Sequence, residues 1–212
     1  MKTHTEPLQP DTFYHIYNRG INKENIFKEE RNYYFFLAKY HKYISPVACT
    51  YSYCLLKNHF HLLIRTRSSE SIRTAFPLKA SSEIDKIISS QFSHLFNGYA
   101  QAVNKSFERT GGLFETPFRR IAVTDQVYLS QLMYYIHSNP LKHGFTDDFT
   151  TYPWSSYPVY LNDDETLIGF KILSALEREA GLEWFGDRQS FIGYHQDPGK
   201  DSSFDFEMLT DS

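Results

Sequence analysis

The sequence predicts an α+β sandwich of ferredoxin-like kind, an antiparallel β-sheet with helices packed on one face, plus a C-terminal extension. Three observations carry that prediction. Strand-like and helix-like stretches alternate in the order β-α-β-β-α-β-α, two adjacent strands are joined by a connection only two residues long, and no internal repeat interrupts the series. A chain of 212 residues, 41% of them apolar and 22% charged, suits one globular domain with an extension.

Residues 12–18, Thr-Phe-Tyr-His-Ile-Tyr-Asn, are aromatic and β-branched, and Asn18-Arg19-Gly20 is a turn signal, so they read as the first strand. Over residues 28–45 the apolar positions Tyr33, Phe36, Leu37 and Tyr40 recur at helical spacing until Pro46. Residues 47–56 and 59–66 read as strands joined by Lys57-Asn58 into a hairpin. Residues 67–90 are serine-rich and read as a mobile, partly helical insertion. A helix over 91–109 carries Phe92, Leu95, Phe96, Tyr99 and Val103 on one stripe and stops at Gly111-Gly112. Residues 113–123 read as the last strand. Thr124-Asp125 caps a helix over 126–138, which Asn139-Pro140 closes. Beyond Gly144 the chain is loop-rich, with an aromatic patch over 152–157, one more helix near 173–180, and a frayed end from about Asp197. The division expected is a body of residues 1–145 and an acidic extension of 146–212, packed on the body in its first part.

No apolar run approaches the ~20 residues of a membrane span, and the first residues do not resemble a secretory signal. Cys49 and Cys54 lie five apart in a strand, so their side chains are expected on opposite faces and unbonded. Free thiols point to a reducing, cytoplasmic setting. The net charge of −3 hides an asymmetry. Residues 1–145 carry 18 Lys and Arg against 11 Asp and Glu, a balance of +7, while residues 146–212 carry 4 against 14, a balance of −10. A basic body of this kind suits a polyanionic partner, although a plain domain with a solvated acidic tail has the same charge pattern.

His59-Phe60-His61 is the sharpest local feature. Side chains at i and i+2 of a strand share a face, so both imidazoles reach one metal ion while Phe60 and Leu62 enter the core. The plainer reading is two partly exposed histidines on a sheet. Two imidazoles also need a third ligand and an open position to make a working site. Tyr135 and Asn139, at i and i+4 of a helix, share a face and offer a phenol and an amide oxygen to such a site. Tyr134 lies ~100° round the same helix, so only one of the two tyrosines faces it. With 16 tyrosines in the chain, packing is the ordinary explanation for either.

Four blocks extend the pattern. They are Tyr14-His15-Ile16-Tyr17-Asn18-Arg19-Gly20, the run from Tyr53 through His59-Phe60-His61 to Ile64, Gly111-Gly112-Leu113-Phe114-Glu115 with Phe118-Arg119-Arg120, and Tyr135-Ile136-His137-Ser138-Asn139-Pro140 with Leu141-Lys142-His143-Gly144. In this order, and with Tyr152-Pro153-Trp154-Ser155-Ser156-Tyr157 after them, they resemble the REP-associated tyrosine transposases of the HUH superfamily of single-strand DNA nucleases. The resemblance covers roughly residues 10–160. It implies His59 and His61 as metal ligands, Asn139 as a third ligand, Tyr135 as nucleophile, and magnesium or manganese as the metal. The implied reaction is cleavage and strand transfer of single-stranded DNA at or near a hairpin through a 5′-phosphotyrosine. Contacts to the DNA are expected from Arg19, Lys57, Lys105, Arg109, Arg119, Arg120, Lys142 and His143, with a homodimer as one possible assembly. The sequence departs from the family at Lys57, where a proline is usual, and at Thr116-Pro117, where a basic residue is common. Two other readings compete: a hairpin DNA- or RNA-binding module that keeps the fold without catalysis, and a zinc hydrolase, for which no acidic base stands near His61.

Overall fold

In the computed structural model, which describes residues 6–79, 82–161 and 176–197, four strands form one antiparallel sheet in the order β2-β3-β1-β4. The strands are β1 (Phe13–Arg19), β2 (Ala48–Leu55), β3 (His59–Thr66) and β4 (Arg119–Val123). Helices α1 (Glu30–Ile44) and α3 (Ile84–Ser106) pack side by side on one face, as the element order required. Between β3 and α3 lies the short α2 (Ser69–Ala75). The other face of the sheet is covered by α4 (Gln126–Lys142), with α5 (Tyr157–Leu161), α6 (Arg178–Glu183) and α7 (Arg188–Gln196) around it.

Alternation along the strands divides the interior in two. Tyr14, Ile16, Phe60, Leu62 and Ile64 point toward α1 and α3 and meet Phe36, Tyr40, Phe92 and Tyr99. Tyr51, Cys54, Leu63 and Val123 point the other way, against Leu132, Met133 and Ile136 of α4 and the ring cluster of Tyr157, Tyr160 and Phe191. Residues 154–156 run along the outer edge of β2, with Trp154 accepting from the Leu55 amide and the Ser156 amide donating to Tyr53, both at 2.9 Å. The Glu177 amide continues that edge by donating to Thr50 at 2.8 Å. The extension thereby covers backbone groups that an open edge strand would leave free for another chain.

Several boundaries differ from expectation for physical reasons. Helix α3 begins at Ile84 rather than near 91, because Ile87 and Ile88 extend the buried stripe N-terminally and outweigh the weak helix propensity of the serines. The connection before it is correspondingly shorter than 67–90. Helix α4 runs through Pro140 to Lys142 instead of closing at 138. Every residue from 132 to 140 is buried, and a proline in the last turn removes one ladder bond that this packing offsets. A bulge between Thr50 and Ser52 shifts the register of β2, so Cys49 and Cys54 both pack toward the α4 side rather than on opposite faces. Both remain free thiols. The helix expected near 173–180 begins at Arg178, residues 162–175 being outside the described residues, and α7 was not anticipated. The frayed end also lies outside them, apart from Asp197.

A buried hydrogen-bonded chain ties the extension to α4. His137 of α4 meets Ser156 Oγ at 2.8 Å through Nε2 and His195 Nε2 at 3.0 Å through Nδ1, and His195 Nδ1 lies 2.9 Å from the Phe191 carbonyl. Burial holds the His195 imidazole down at about 3 and His137 well below the usual histidine range. The unfolded chain takes up protons on these rings below about pH 6.5, and the folded protein does not. Their contribution is therefore complete above pH 6.5 and is lost as pH falls toward 3. Thermal unfolding should show a midpoint that drops between pH 7.5 and 5. His195→Gln should make that drop shallower, and an unchanged pH slope would refute the assignment.

Candidate active site

The α4-facing side of the central strands builds a pocket of about 190 Å³. On β3, His59 is half-buried and His61 is buried, on the same side of the strand, while Phe60 between them is fully buried in the opposite core. The antiparallel register sets Tyr17 of β1 opposite His61 and Arg19 opposite His59. Helix α4 crosses over these side chains. The Tyr135 ring stands edge-on to His61, centroids 5.5 Å apart, and its exposure is only 7%. At the end of the same helix, His143 comes within 4.7 Å of His59, ring to ring.

Tyr135 lines this pocket, and Tyr134 does not. Tyr134 turns toward Tyr194 and His195 on the far side of α4, as the ~100° per residue of a helix requires. Lys142 sits over the helix end, 5.3 Å from the Tyr135 ring centre. Asn139, fully buried one turn beyond Tyr135, donates through Nδ2 to the Tyr135 carbonyl at 2.9 Å. Its Oδ1 is buried with no hydrogen-bond partner among the described residues.

Desolvation sets the protonation of the centre. Burial pushes the His59 imidazole down to about 3, with His143 adding to the effect and the neighbouring Asn139 amide opposing it. Burial, then His15 and His59, drives His61 well below the usual range. Both rings are neutral at physiological pH, which is the form that binds metal. His59 Nδ1 lies 2.8 Å from Asn58 Oδ1 and His61 Nδ1 lies 3.0 Å from His15 Nε2. Outer partners of this kind orient metal-binding imidazoles. No three His, Cys, Asp or Glu side chains among the described residues converge to hold a metal. Asn139 Oδ1, buried beside His59, is an oxygen donor of the kind a third ligand would be. The donor set of two neutral imidazoles and an amide oxygen fits a divalent ion.

The basic residues distribute unevenly. Arg19 and Arg119 line the pocket, and Arg19 is fastened to Glu115 at 2.7 Å. Lys57 lines a separate groove beside Tyr33 and Trp154. Arg120 lies over the Phe118 ring and donates to the Glu6 carbonyl, at a groove along α3. Arg109 is bound to Glu24 and Asn104, and neither it nor Lys105 lines the pocket. His143, expected as a DNA contact, stands inside the pocket. Residues at the site to which the sequence reading gave no role include His15, Lys23, Asn58 and Glu115. His15 was findable, since β1 places His15, Tyr17 and Arg19 on one face by the same alternation that paired the two β3 histidines. Lys23 and Glu115 reach the pocket only through loop geometry.

No protein-family model matches the chain. Over 113 residues it is 26% identical to a REP-associated tyrosine transposase of Haemophilus influenzae, a match that covers 51% of this chain. The chain spans 58% of that relative's length. A solved structure of a REP-associated tyrosine transposase bound to a REP hairpin superposes with a TM-score of 0.58 at 15% identity, covering 84% of this chain and 98% of the other. The likeness to that structure is one of fold. In sequence and in fold, the chain is similar to the REP-associated tyrosine transposases.

Proposed function

We propose that this chain is a metal-dependent DNA strand transferase that cuts single-stranded DNA at or near a hairpin, with Tyr135 as its one nucleophile. The observation that carries this reading is the meeting of Tyr135 with His59 and His61 in one pocket, from a helix and a strand distant in sequence, under a rim of Arg19, Arg119 and Lys142. Residues 1–145 form the catalytic body, and the extension from 146 supports α4. The similarity to REP-associated transposases supports a hairpin as the partner.

A phosphodiester resists attack because its anionic oxygens repel an approaching nucleophile. The guanidinium groups and Lys142 attract that phosphate through charge-assisted hydrogen bonds. His59, His61 and the Asn139 amide oxygen would hold a divalent ion, magnesium or manganese. When bound, such an ion neutralises charge on a non-bridging phosphate oxygen. Tyr135 gives its phenolic proton to a base and attacks phosphorus. The bond from its oxygen to phosphorus forms as the bond to the 3′ oxygen breaks, and that oxygen takes up the proton from the base or from water, so the departing strand carries a 3′-hydroxyl. Attack of a second 3′-hydroxyl on the phosphotyrosine reverses the step and joins a new strand without an external energy source.

Incubating the protein with end-labelled hairpin DNA and magnesium or manganese should give a covalent protein–DNA adduct on a denaturing gel. Tyr135→Phe should lower adduct yield by about 10³-fold or more, whereas Tyr134→Phe should stay within about threefold. An adduct that survives Tyr135→Phe would overturn the nucleophile. A chelator should abolish the adduct. Manganese titrated calorimetrically should bind the wild type and bind His61→Ala about tenfold or more weaker, and equal affinities would remove His61 from the ligand set. DNA affinity should fall linearly with log salt concentration, Arg119→Ala reducing the slope by about one. A flat salt response would contradict the basic rim.

A further inference from the structure

None of the steps proposed for strand transfer uses His15, which is 1% exposed. It lies on β1, on the α4-facing side that alternation also gives to Phe13, Tyr17 and Arg19. Its partners across the sheet are Leu63 of β3 and Ile121 of β4. Packing alone would be served at such a position by an apolar side chain, as it is by Phe13 two residues earlier. A buried imidazole costs stability unless it is hydrogen-bonded.

The group it bonds to is His61. His15 Nε2 lies 3.0 Å from His61 Nδ1, with the ring planes 23° apart, across a diagonal of the antiparallel pairing. Two nitrogens this close share one proton, because two N–H groups would collide and two lone pairs would repel. Either His61 donates and His15 accepts, or the reverse. Tyr17 also flanks His61, centroids 5.7 Å apart. The Tyr135 ring stands edge-on to both imidazoles, 6.1 Å from His15 and 5.5 Å from His61. Neighbours thus hold the His61 ring in place, and the position of its proton is what His15 can decide.

We propose that His15 is a positioning residue for the metal centre: it accepts the His61 Nδ1–H and so keeps the Nε2 lone pair of His61 for the ion. The proposal rests on the reading of His59 and His61 as metal ligands. A neutral imidazole has one N–H and one lone pair, and only the lone pair binds metal. With Nδ1 turned to His15, His61 can bind an ion only through Nε2, which requires its proton on Nδ1. The opposite arrangement, His15 donating, puts the His61 proton on Nε2 and closes that ring to metal. Metal-bound histidines ordinarily donate to a carboxylate, a backbone carbonyl or water. A second imidazole accepts here without bringing a negative charge to a site that receives a phosphate.

The proton's place can be read from nitrogen-15 correlation spectra of the histidine-labelled full chain in chelator, with His61→Ala identifying the His61 signals. The wild type should show His61 protonated on Nδ1. His61 protonated on Nε2 would overturn the proposal, and this measurement needs no variant of His15. Manganese titrated calorimetrically should bind His15→Phe, which keeps a ring on this face, about tenfold or more weaker than the wild type. His15→Gln, whose carboxamide can place an oxygen where Nε2 stood, should return the affinity to within about threefold of the wild type. Melting temperatures of both variants will separate lost packing from lost positioning, since only positioning is restored by an acceptor. Manganese affinity equal in wild type and His15→Phe would overturn the proposal and leave the metal reading intact, as would a His15→Gln no tighter than His15→Phe. A wild type that binds no manganese would overturn the metal reading, and the proposal with it.

Discussion

Strand β3 is buried on both faces, and its two-residue alternation assigns Phe60, Leu62 and Ile64 to one core and His61 and Leu63 to the other. The first set anchors the strand against α1 and α3, so the second set is presented to α4 from a rigid base. The same alternation in β1, locked to β3 by the pairing of Tyr17 with His61 and Arg19 with His59, brings a second row of polar side chains onto that face. The neutral state of both histidines follows from this burial, since each ring sits where a charge would be costly. One slip of register would send the imidazoles into the aromatic core and Phe60 into the pocket.

The half of the site on α4 depends on a different set of contacts. Helix α4 is placed by the second core and by the chain from Ser156 through His137 to His195, so residues far along the extension determine where Tyr135 and Asn139 stand. Tyr134 and Tyr135 differ only by the helical rotation, and that rotation sends one ring to His61 and the other toward His195. The extension is therefore joined to the body by structure as well as by chain, through the edge of β2 and through this buried relay.

Much of this was legible from residue types and spacing. Periodicity gave the element order, and i, i+2 spacing gave the histidine face, because both depend on neighbours in sequence. What the sequence withheld depends on contacts between distant segments. The N-terminal growth of α3 required Ile87 and Ile88 to find a core, and the passage of α4 through Pro140 required burial of the whole turn. The common face of Cys49 and Cys54 required a bulge that no residue type announces. His143 was expected as a DNA contact, and only the path of α4 over β3 brings it against His59. The tie between Arg19 and Glu115 spans 96 positions and has no local signature.

Charge is arranged around the pocket so that two phenols sharing it take different parts. Tyr17 and Tyr135 both line it, yet Tyr17 is pushed up to about 12, first by burial, with Arg119 opposing and Tyr135 adding. At neutral pH Tyr17 keeps its proton, and its ring is stacked on His61, centroids 5.7 Å apart. Under the proposed chemistry Tyr135 is the phenol that attacks. Tyr135 lies on the helix whose last turn carries Lys142, 5.3 Å from its ring centre, whereas Tyr17 lies on the strand, its ring against His15 and His61. Position in the fold sets the arrangement: β3 supplies the imidazoles on a rigid floor, β1 and β4 supply Arg19 and Arg119, and the end of α4 supplies Lys142.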